Sequence, residues 1–446
     1  MAADARRAAV EALLKINHSG GYSNIVLDNL LKSGVLTPQD QIFATRLLYG
    51  VTERRLTIDY ALEQCSSVAL KKMHPTVLEI LRLGVYQLLY MDRIPASAAV
   101  NEAVKLTRQM QQGKASGFVN GVLRSVERKK DRLFENLPIG DAGDAVRYSC
   151  PEPLISLWKK AYGEETARAL LEHINDLPET TIRLNTLKMT AQEFENQLSE
   201  ADIVYRREPQ LPACYYLQNG SDGKRLAKIV KNCYYHQDAA SQIDCLALGA
   251  RPGERVADVC AAPGGKSFTI AQGMENSGEL LSGDLYAAKC EAMEARAAEL
   301  GITMMRTAVR DASRPCPEPL LSVFDRVLCD VPCSGLGVIR RKPEIRYKPL
   351  ADFADLPAIQ YAILERAAAM CRPGGVLQYS TCTLNPAENE GVAARFLREH
   401  SDFQPRMLPL SHWFTQAGME LGASITLFPH IHNTDGFFVA GFVKMG

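Results

Sequence analysis

The chain has 446 residues, 46% hydrophobic and 23% charged, with 51 Lys+Arg against 51 Asp+Glu. That length exceeds one ordinary core and predicts two or three domains, and the composition is that of a soluble globular protein rather than a disordered or fibrous one. No apolar run approaches the ~18 residues of a membrane span, and Met-Ala-Ala-Asp-Ala-Arg-Arg at the N-terminus looks like a helix start without a signal-peptide core, so a cytoplasmic location is expected.

Charge is uneven along the chain. Residues 1–135 hold 19 Lys+Arg and 13 Asp+Glu, a net +6, which leaves −6 for the remainder. This basic part suits a polyanionic partner, although a solvated basic face has the same signature. It reads as helices throughout. Ala8, Ala9, Ala12, Leu13 and Ile16 recur at helical spacing, as do Ile42, Leu47, Leu48 and Val51. Leu78 to Met91 is apolar on nearly all sides and predicts a buried central helix. Further helices start near Ser97 and run over Ser116 to Val126. The runs Leu81-Arg-Leu-Gly-Val-Tyr-Gln-Leu-Leu-Tyr90, Ile94-Pro-Ala-Ser-Ala-Ala-Val-Asn-Glu-Ala-Val104 and Phe118-Val-Asn-Gly-Val-Leu123 resemble the NusB family of helical RNA-binding domains, which implies RNA binding through a basic face.

Asn136 to Cys150, with Pro138, Gly140 and Gly143, reads as a linker. Residues 151–234 read as a small α+β domain: a helix over Leu154 to Ile174, an alternating strand Thr181 to Leu187, and a helix over Ala191 to Leu198. From residue 235 onward strands alternate with helices, which predicts a parallel sheet covered by helices. The strands are Arg255–Val259, Gly278–Leu285, Thr303–Ala308, Phe324–Cys329 and Gly375–Tyr379, with Phe437–Val443 as a final antiparallel strand.

The first of these strands runs into Asp258-Val-Cys-Ala-Ala-Pro-Gly-Gly-Lys266. A strand that stops at a glycine-rich turn before a helix presents backbone N–H groups and admits a ligand close to the main chain. A P-loop would need glycine where Cys260 stands, and no G-x-G-x-x-G is present. An S-adenosylmethionine site remains, beside the plain possibility of a turn that binds nothing. Asp284 lies 20 positions after Gly264 at the end of the next strand, where a carboxylate meets a ribose. Asp311 and Asp330 follow later strands and complete a series begun by Asp258, at the edge where open α/β sheets bind ligands.

Twelve cysteines include no C-x-x-C pair, so no zinc site is expected. Cys150, Cys245, Cys290 and Cys329 read as small buried hydrophobes. Two others differ: Cys333 in Asp330-Val-Pro-Cys-Ser-Gly335 and Cys382 in Tyr379-Ser-Thr-Cys-Thr383 sit in turn-like segments downstream of the glycine loop. Two thiols converging on a nucleotide-type loop suit covalent chemistry at an electrophilic carbon. His430 and His432 lack a cysteine or acidic cluster beside them and read as part of a loop.

The glycine loop, the Asp-Val-Pro-Cys-Ser-Gly segment and Tyr379-Ser-Thr-Cys-Thr-Leu-Asn-Pro-Ala-Glu-Asn-Glu390 resemble the RNA 5-methylcytosine methyltransferases. With the NusB-like N-terminus, the whole chain is similar to the RsmB (Sun/Fmu) family that modifies small-subunit ribosomal RNA. The resemblance implies three parts: a NusB-like helical domain over 1–135, a small α+β domain over 151–234 and a Rossmann-like methyltransferase domain over 235–446. It implies S-adenosylmethionine as cofactor, held by Cys260, Ala261, Ala262, Pro263, Gly264, Gly265, Lys266, Asp284, Asp311 and Asp330. It assigns Cys382 as nucleophile on carbon 6 of a cytidine and Cys333 as the releasing group. Asp330 is expected to stabilise charge at ring nitrogen 3, and Lys266 is one candidate for lowering the Cys382 pKa. DNA cytosine methyltransferases attack with a Pro-Cys thiol and lack the Thr-Cys turn, so Thr381-Cys382 favours RNA as substrate. Arg183 and Asn185 resemble an Arg-x-Asn strand and are candidate RNA contacts. The expected protein is a monomer with no membrane and no metal partner. Rival readings are a tRNA cytosine-C5 methyltransferase and a non-catalytic RNA-binding antitermination protein.

Overall fold

A computed structural model describes residues 5–32, 34, 36–218, 222–410 and 422–446. The reading of the N-terminus extends over residues 1–4, which lie outside these. The chain divides into two compact units, Met1–Asp176 with Ile339–Leu350, and Leu177–Val338 with Ala351–Gly446.

The first unit is helical: α1 (Ala5–Ser19), α2 (Ser23–Lys32), α3 (Pro38–Glu53), α4 (Arg55–Glu63), α5 (Pro75–Tyr90), α6 (Ala96–Gln109), α7 (Ser116–Lys129), α8 (Asp141–Tyr148) and α9 (Glu152–His173). Proline at the start of α3 and α5 suits the first turn, where its missing N–H has no helical partner. The all-round apolar character of α5 has its expected cause, since α1, α3, α4, α6 and α7 all pack against it. Two charged residues share that interior. Arg82 bonds Glu79 and Asp59, each at 2.7 Å, and Asn17 donates to Glu79 at 2.9 Å.

Two expectations are corrected in this unit. Residues 136–150 are not a linker: α8 occupies most of the segment, packs against α4 and α9, and is followed by the fully buried Cys150. The glycines that suggested a linker serve the helix instead, because Gly140 precedes it at φ +77 and Gly143 packs against the Pro138 carbonyl. The stretch expected to continue unbroken over 235–446 is also interrupted. Ile339–Leu350 folds with the helices, where Arg346, 1% exposed, donates to Asn175 Oδ1 at 2.9 Å and to the Ile174 carbonyl at 3.2 Å. Glu344 accepts the Ser23 N–H at 3.0 Å, and Tyr347 donates to the Thr52 carbonyl at 2.8 Å.

The second unit holds two sheets. A small antiparallel sheet has the order β2 (Tyr205–Arg207), β3 (Cys214–Leu217), β1 (Thr180–Leu184), β4 (Tyr234–His236). Helices α10 (Ala191–Glu200) and α11 (Asp222–Ile229) accompany it, and Phe194 and Leu198 of α10 fill its core with Ile182, Leu184 and Tyr215.

The large sheet contains β5 (Arg255–Asp258), β6 (Glu279–Asp284), β7 (Met305–Val309), β8 (Phe324–Asp330), β9 (Cys371–Thr381), β10 (Phe403–Pro405), β11 (Ser424–Leu427) and β12 (Phe437–Lys444). Its order is β10-β12-β9-β8-β5-β6-β7, with β11 beside β12. Strands β5 to β9 pair in parallel and β12 runs antiparallel to β9, as the sequence predicted for the last strand. The chain adds strands outward from β5 on one side and then on the other. This makes β5/β8 the switch point where a parallel sheet opens a crevice at its strand ends. The covering helices are α12 (Ala239–Leu248), α13 (Gly265–Gly273), α14 (Ala287–Leu300), α15 (Leu356–Ala368) and α16 (Glu390–Glu399). Among the described residues, no helix is long and apolar enough to cross a membrane.

Candidate active site

The predicted cofactor and cysteine residues fall along the carboxyl ends of the parallel strands, whereas Arg183 lies in β1 of the small antiparallel sheet and Asn185 just after it. The loop from Cys260 to Gly264 links β5 to α13. Gly264 has φ +104, and a Cβ there would overlap the Phe268 ring, so glycine alone fits this turn. The turn delivers Gly265 and Lys266 to the first turn of α13, whose N–H groups lack helical partners. Asp258 does not face the crevice. It is 1% exposed, its Oδ2 accepts Ser267 Oγ at 2.7 Å, and burial pushes its carboxyl up to about 7. Its role is to stitch the loop to the helix.

Asp284 closes β6; its Oδ1 accepts the Tyr286 N–H at 3.1 Å and lies 3.6 Å from Lys289 Nζ. Asp311 follows β7 and accepts both the N–H and the hydroxyl of Ser313, which, with Arg314 nearby, holds its carboxyl below the usual range. Around these carboxylates the apolar side chains of Leu285, Tyr286 and Val309 are more than half exposed. An uncovered apolar rim beside two hydrogen-bond-accepting carboxylates at a glycine turn suits a flat aromatic base with a ribose whose hydroxyls donate.

Asp330 ends β8 and contacts Lys266 Nζ at 2.5 Å through Oδ2. Lys266 also lies 3.7 Å from Asp244 Oδ2 and 4.9 Å from the centre of the Phe437 ring. The ammonium, considered from sequence as a means of lowering the Cys382 pKa, is thus engaged by carboxylates.

The two cysteines meet, Cys333 Sγ lying 3.4 Å from Cys382 Sγ. Hydrogen bonding with Cys382, burial and the nearby Glu388 and Asp330 charges hold the Cys333 thiol well above its ordinary value. The loops carrying the thiols are bolted together by residues that sequence reasoning passed over. Glu388, fully buried, accepts Ser334 N–H at 2.9 Å, Ser334 Oγ at 2.5 Å, Gln360 at 2.8 Å and Asn385 at 2.8 Å. Asn389 accepts Thr381 Oγ1 at 2.6 Å and donates to the Thr383 carbonyl at 2.9 Å. Both belong to the Asn-Pro-Ala-Glu-Asn-Glu run, and an acid and an amide in a turn after a cysteine were the available signal. Gly337 donates to the Cys382 carbonyl at 3.1 Å, and a Cβ there would overlap the Gly436 carbonyl.

Of the two candidate RNA contacts, Asn185 is corrected by its burial, whereas Arg183 is half-buried. Asn185 is fully buried and donates to the Leu300 carbonyl at 2.8 Å, while Arg183 bonds Gln272 and Gln242 at 3.1 and 3.2 Å. They tie the small sheet to the helices of the large one. The His430–His432 segment forms a helical turn, Pro429–His432. Among the described residues, no three His, Cys, Asp or Glu side chains converge as a metal site.

Residues 245–443 match the model of the 16S rRNA methyltransferase RsmB/F family, residues 3–128 that of the NusB family, and residues 150–222 that of the RsmF/B-like ferredoxin-like domain. The chain is 34% identical to the probable ribosomal RNA small subunit methyltransferase B of Synechocystis, covering 99% of both chains. It is also 34% identical to the protein of that name from Bacillus subtilis, again over 99% of both. The crystal structure of PH0851 shares the fold with a TM-score of 0.81 at 24% identity, over 99% of this chain and 98% of that one. The structure of NSun6 from Pyrococcus horikoshii with SFG has a TM-score of 0.57 at 22% identity, over 66% of this chain and 98% of that one.

Proposed function

The chain belongs to the RsmB/F family of 16S rRNA methyltransferases, and from that premise we propose that it transfers a methyl group from S-adenosylmethionine to carbon 5 of a cytidine in small-subunit ribosomal RNA. The observation that carries the covalent mechanism is the 3.4 Å approach of Cys333 and Cys382. The Gly264 turn, Asp284, Asp311 and the exposed Leu285 and Tyr286 are the residues that would hold the cofactor. When bound it supplies an electrophilic methyl on sulfonium.

Carbon 5 of cytosine is too weak a nucleophile to accept that methyl unaided. Cys382 adds to carbon 6, and the carbon 5–carbon 6 π pair becomes an enamine whose carbon 5 is reactive. Cys333, which holds its proton tightly, donates a hydrogen bond to the Cys382 thiolate before attack. Asp330, steadied by Lys266, faces the ring nitrogen 3 where charge develops. Once carbon 5 has lost its proton, the bond between carbon 6 and sulfur breaks, and Cys333 stands beside that sulfur as the releasing group. A base in a duplex is out of reach of such a crevice, so the target is unstacked or presented in a loop. The NusB-like helices supply the RNA-binding part of this reading.

The test is trapping on 5-fluorocytidine RNA. Cys382→Ala is expected to abolish the covalent species, and its persistence sinks the assignment of the nucleophile. Cys333→Ala is expected to accumulate a stalled RNA–protein species on a denaturing gel with natural RNA. Bisulfite mapping of rRNA and tRNA from a deletion strain identifies the substrate: loss of a 5-methylcytosine from tRNA alone overturns the rRNA reading.

A further inference from the structure

Behind the Lys266–Asp330 pair lies a carboxyl group that the reaction above leaves unused. Asp244, on α12, is completely buried. Its Oδ1 accepts Gln378 Nε2 at 2.8 Å and its Oδ2 accepts Ser380 Oγ at 2.8 Å. The same Ser380 hydroxyl stands 3.4 Å from Asp330 Oδ1. One hydroxyl therefore bridges a sealed carboxyl group and a carboxylate whose side chain is 28% exposed.

The charges around Asp244 do not balance it. Lys266 reaches it from α13, but at 3.7 Å against 2.5 Å to Asp330. Asp330 at the end of β8 adds a like charge, and Cys245 beside it on α12 is a buried thiol. From β9 come only the neutral Gln378 and Ser380, and from β12 the Phe437 ring over Lys266. A sealed carboxylate sharing one cation with a second carboxylate is better accommodated with a proton on it.

Building on the cytosine reaction proposed above, we propose that Asp244 is a positioning residue that stores a proton and passes it through Ser380 to Asp330 as Cys382 adds to the pyrimidine. In that step the sulfur lone pair forms the bond to carbon 6, the π pair moves through carbons 5 and 4, and nitrogen 3 takes a proton from Asp330. Ser380 gives its hydroxyl proton to Asp330 and receives that of Asp244. On release nitrogen 3 returns its proton along the same path, while the carbon 5 proton passes to solvent water, its bonding pair re-forms the carbon 5–carbon 6 π bond and the carbon 6–sulfur pair returns to Cys382, so no further reactant is required.

Burial, together with the Asp330 charge and against the pull of Lys266, pushes the Asp244 carboxyl up to about 7. The store is loaded below that pH and empties above it, whereas the Cys382 thiolate is favoured as pH rises. The experiment is the pH profile of adduct formation on 5-fluorocytidine RNA under single-turnover conditions. The wild-type rate is expected to pass through a maximum and fall above about pH 7. Asp244→Asn is expected to lower the rate at pH 7 on the order of 10- to 100-fold, abolish the falling limb and leave the KM for RNA unchanged. Ser380→Ala, which keeps Asp244 in place, is expected to abolish the same limb and decides the matter if the Asn variant does not fold. A wild-type-shaped profile in Ser380→Ala, with or without a uniform loss of rate, overturns the relay. Absence of any wild-type adduct overturns the covalent reaction itself, which separates the two failures.

Discussion

Arg82 in the helical unit and Lys266 in the catalytic unit carry the same inventory of charge, one buried cation between two carboxylates of which one is wholly sealed. They differ in how the cation divides itself. The planar guanidinium of Arg82 meets Asp59 with two N–H groups and Glu79 with a third, all at 2.7 Å. The Lys266 ammonium meets one carboxylate at 2.5 Å and leaves the other at 3.7 Å. A rigid fork satisfies two acids at once and makes a structural joint, whereas a point charge on a flexible stem favours one acid and leaves the other ready to hold a proton. The same three groups thus make a structural joint in one place and, in the proposed relay, a proton store in the other.

Removing each cation tests the contrast most severely. Lys266→Met is expected to lower single-turnover methyl transfer by about 10²- to 10⁴-fold, since Asp330 loses the group that orients it. Arg82→Met is expected to cost about 3–5 kcal/mol of stability in urea unfolding, with the rate per folded molecule unchanged; a comparable loss of catalysis would erase the distinction. A smaller effect is the pH dependence of stability. Asp244 has an ordinary value of 3.8 and a folded value of about 7, so the folded chain binds the extra proton. The stability this contributes is complete below about pH 4 and lost as pH rises through about 7, an amount of roughly 2–4 kcal/mol. Denaturation of Asp244→Asn from pH 4 to 8 is expected to lack that part of the decline, leaving the part due to Asp258. The mildest change, Arg82→Lys, turns the fork into a point charge and is expected to cost about 1–2 kcal/mol, measurable as a shifted urea midpoint.

How much of this was legible follows from where the partners lie in the chain. The central helix α5, the glycine turn, the strand-end carboxylates and the turns of Cys333 and Cys382 are each announced by neighbours within a few residues, through periodicity or a contiguous motif. Glu388 and Asp244 are not. Glu388 acts on Ser334, 54 positions away, and Asp244 on Ser380, 136 positions away, so the neighbouring sequence offers at most the acid in the turn after Cys382 and shows neither distant partner. The composition of 136–150 misled for the opposite reason, because proline and glycine mark breaks whether the chain between them unfolds or turns into a short helix.

Sequence by itself determined which local elements form, their order, the turn that only glycine fits and the turns in which Cys333 and Cys382 stand, because these depend on backbone preference and side-chain type over short spans. Tertiary structure alone decided that the sulfurs meet, that Asn185 is sealed away from RNA, that Ile339–Leu350 joins the helices and that Asp244 faces a shared cation. Those outcomes depend on distance and on exclusion of water, and both arise only when segments remote in the chain are packed together.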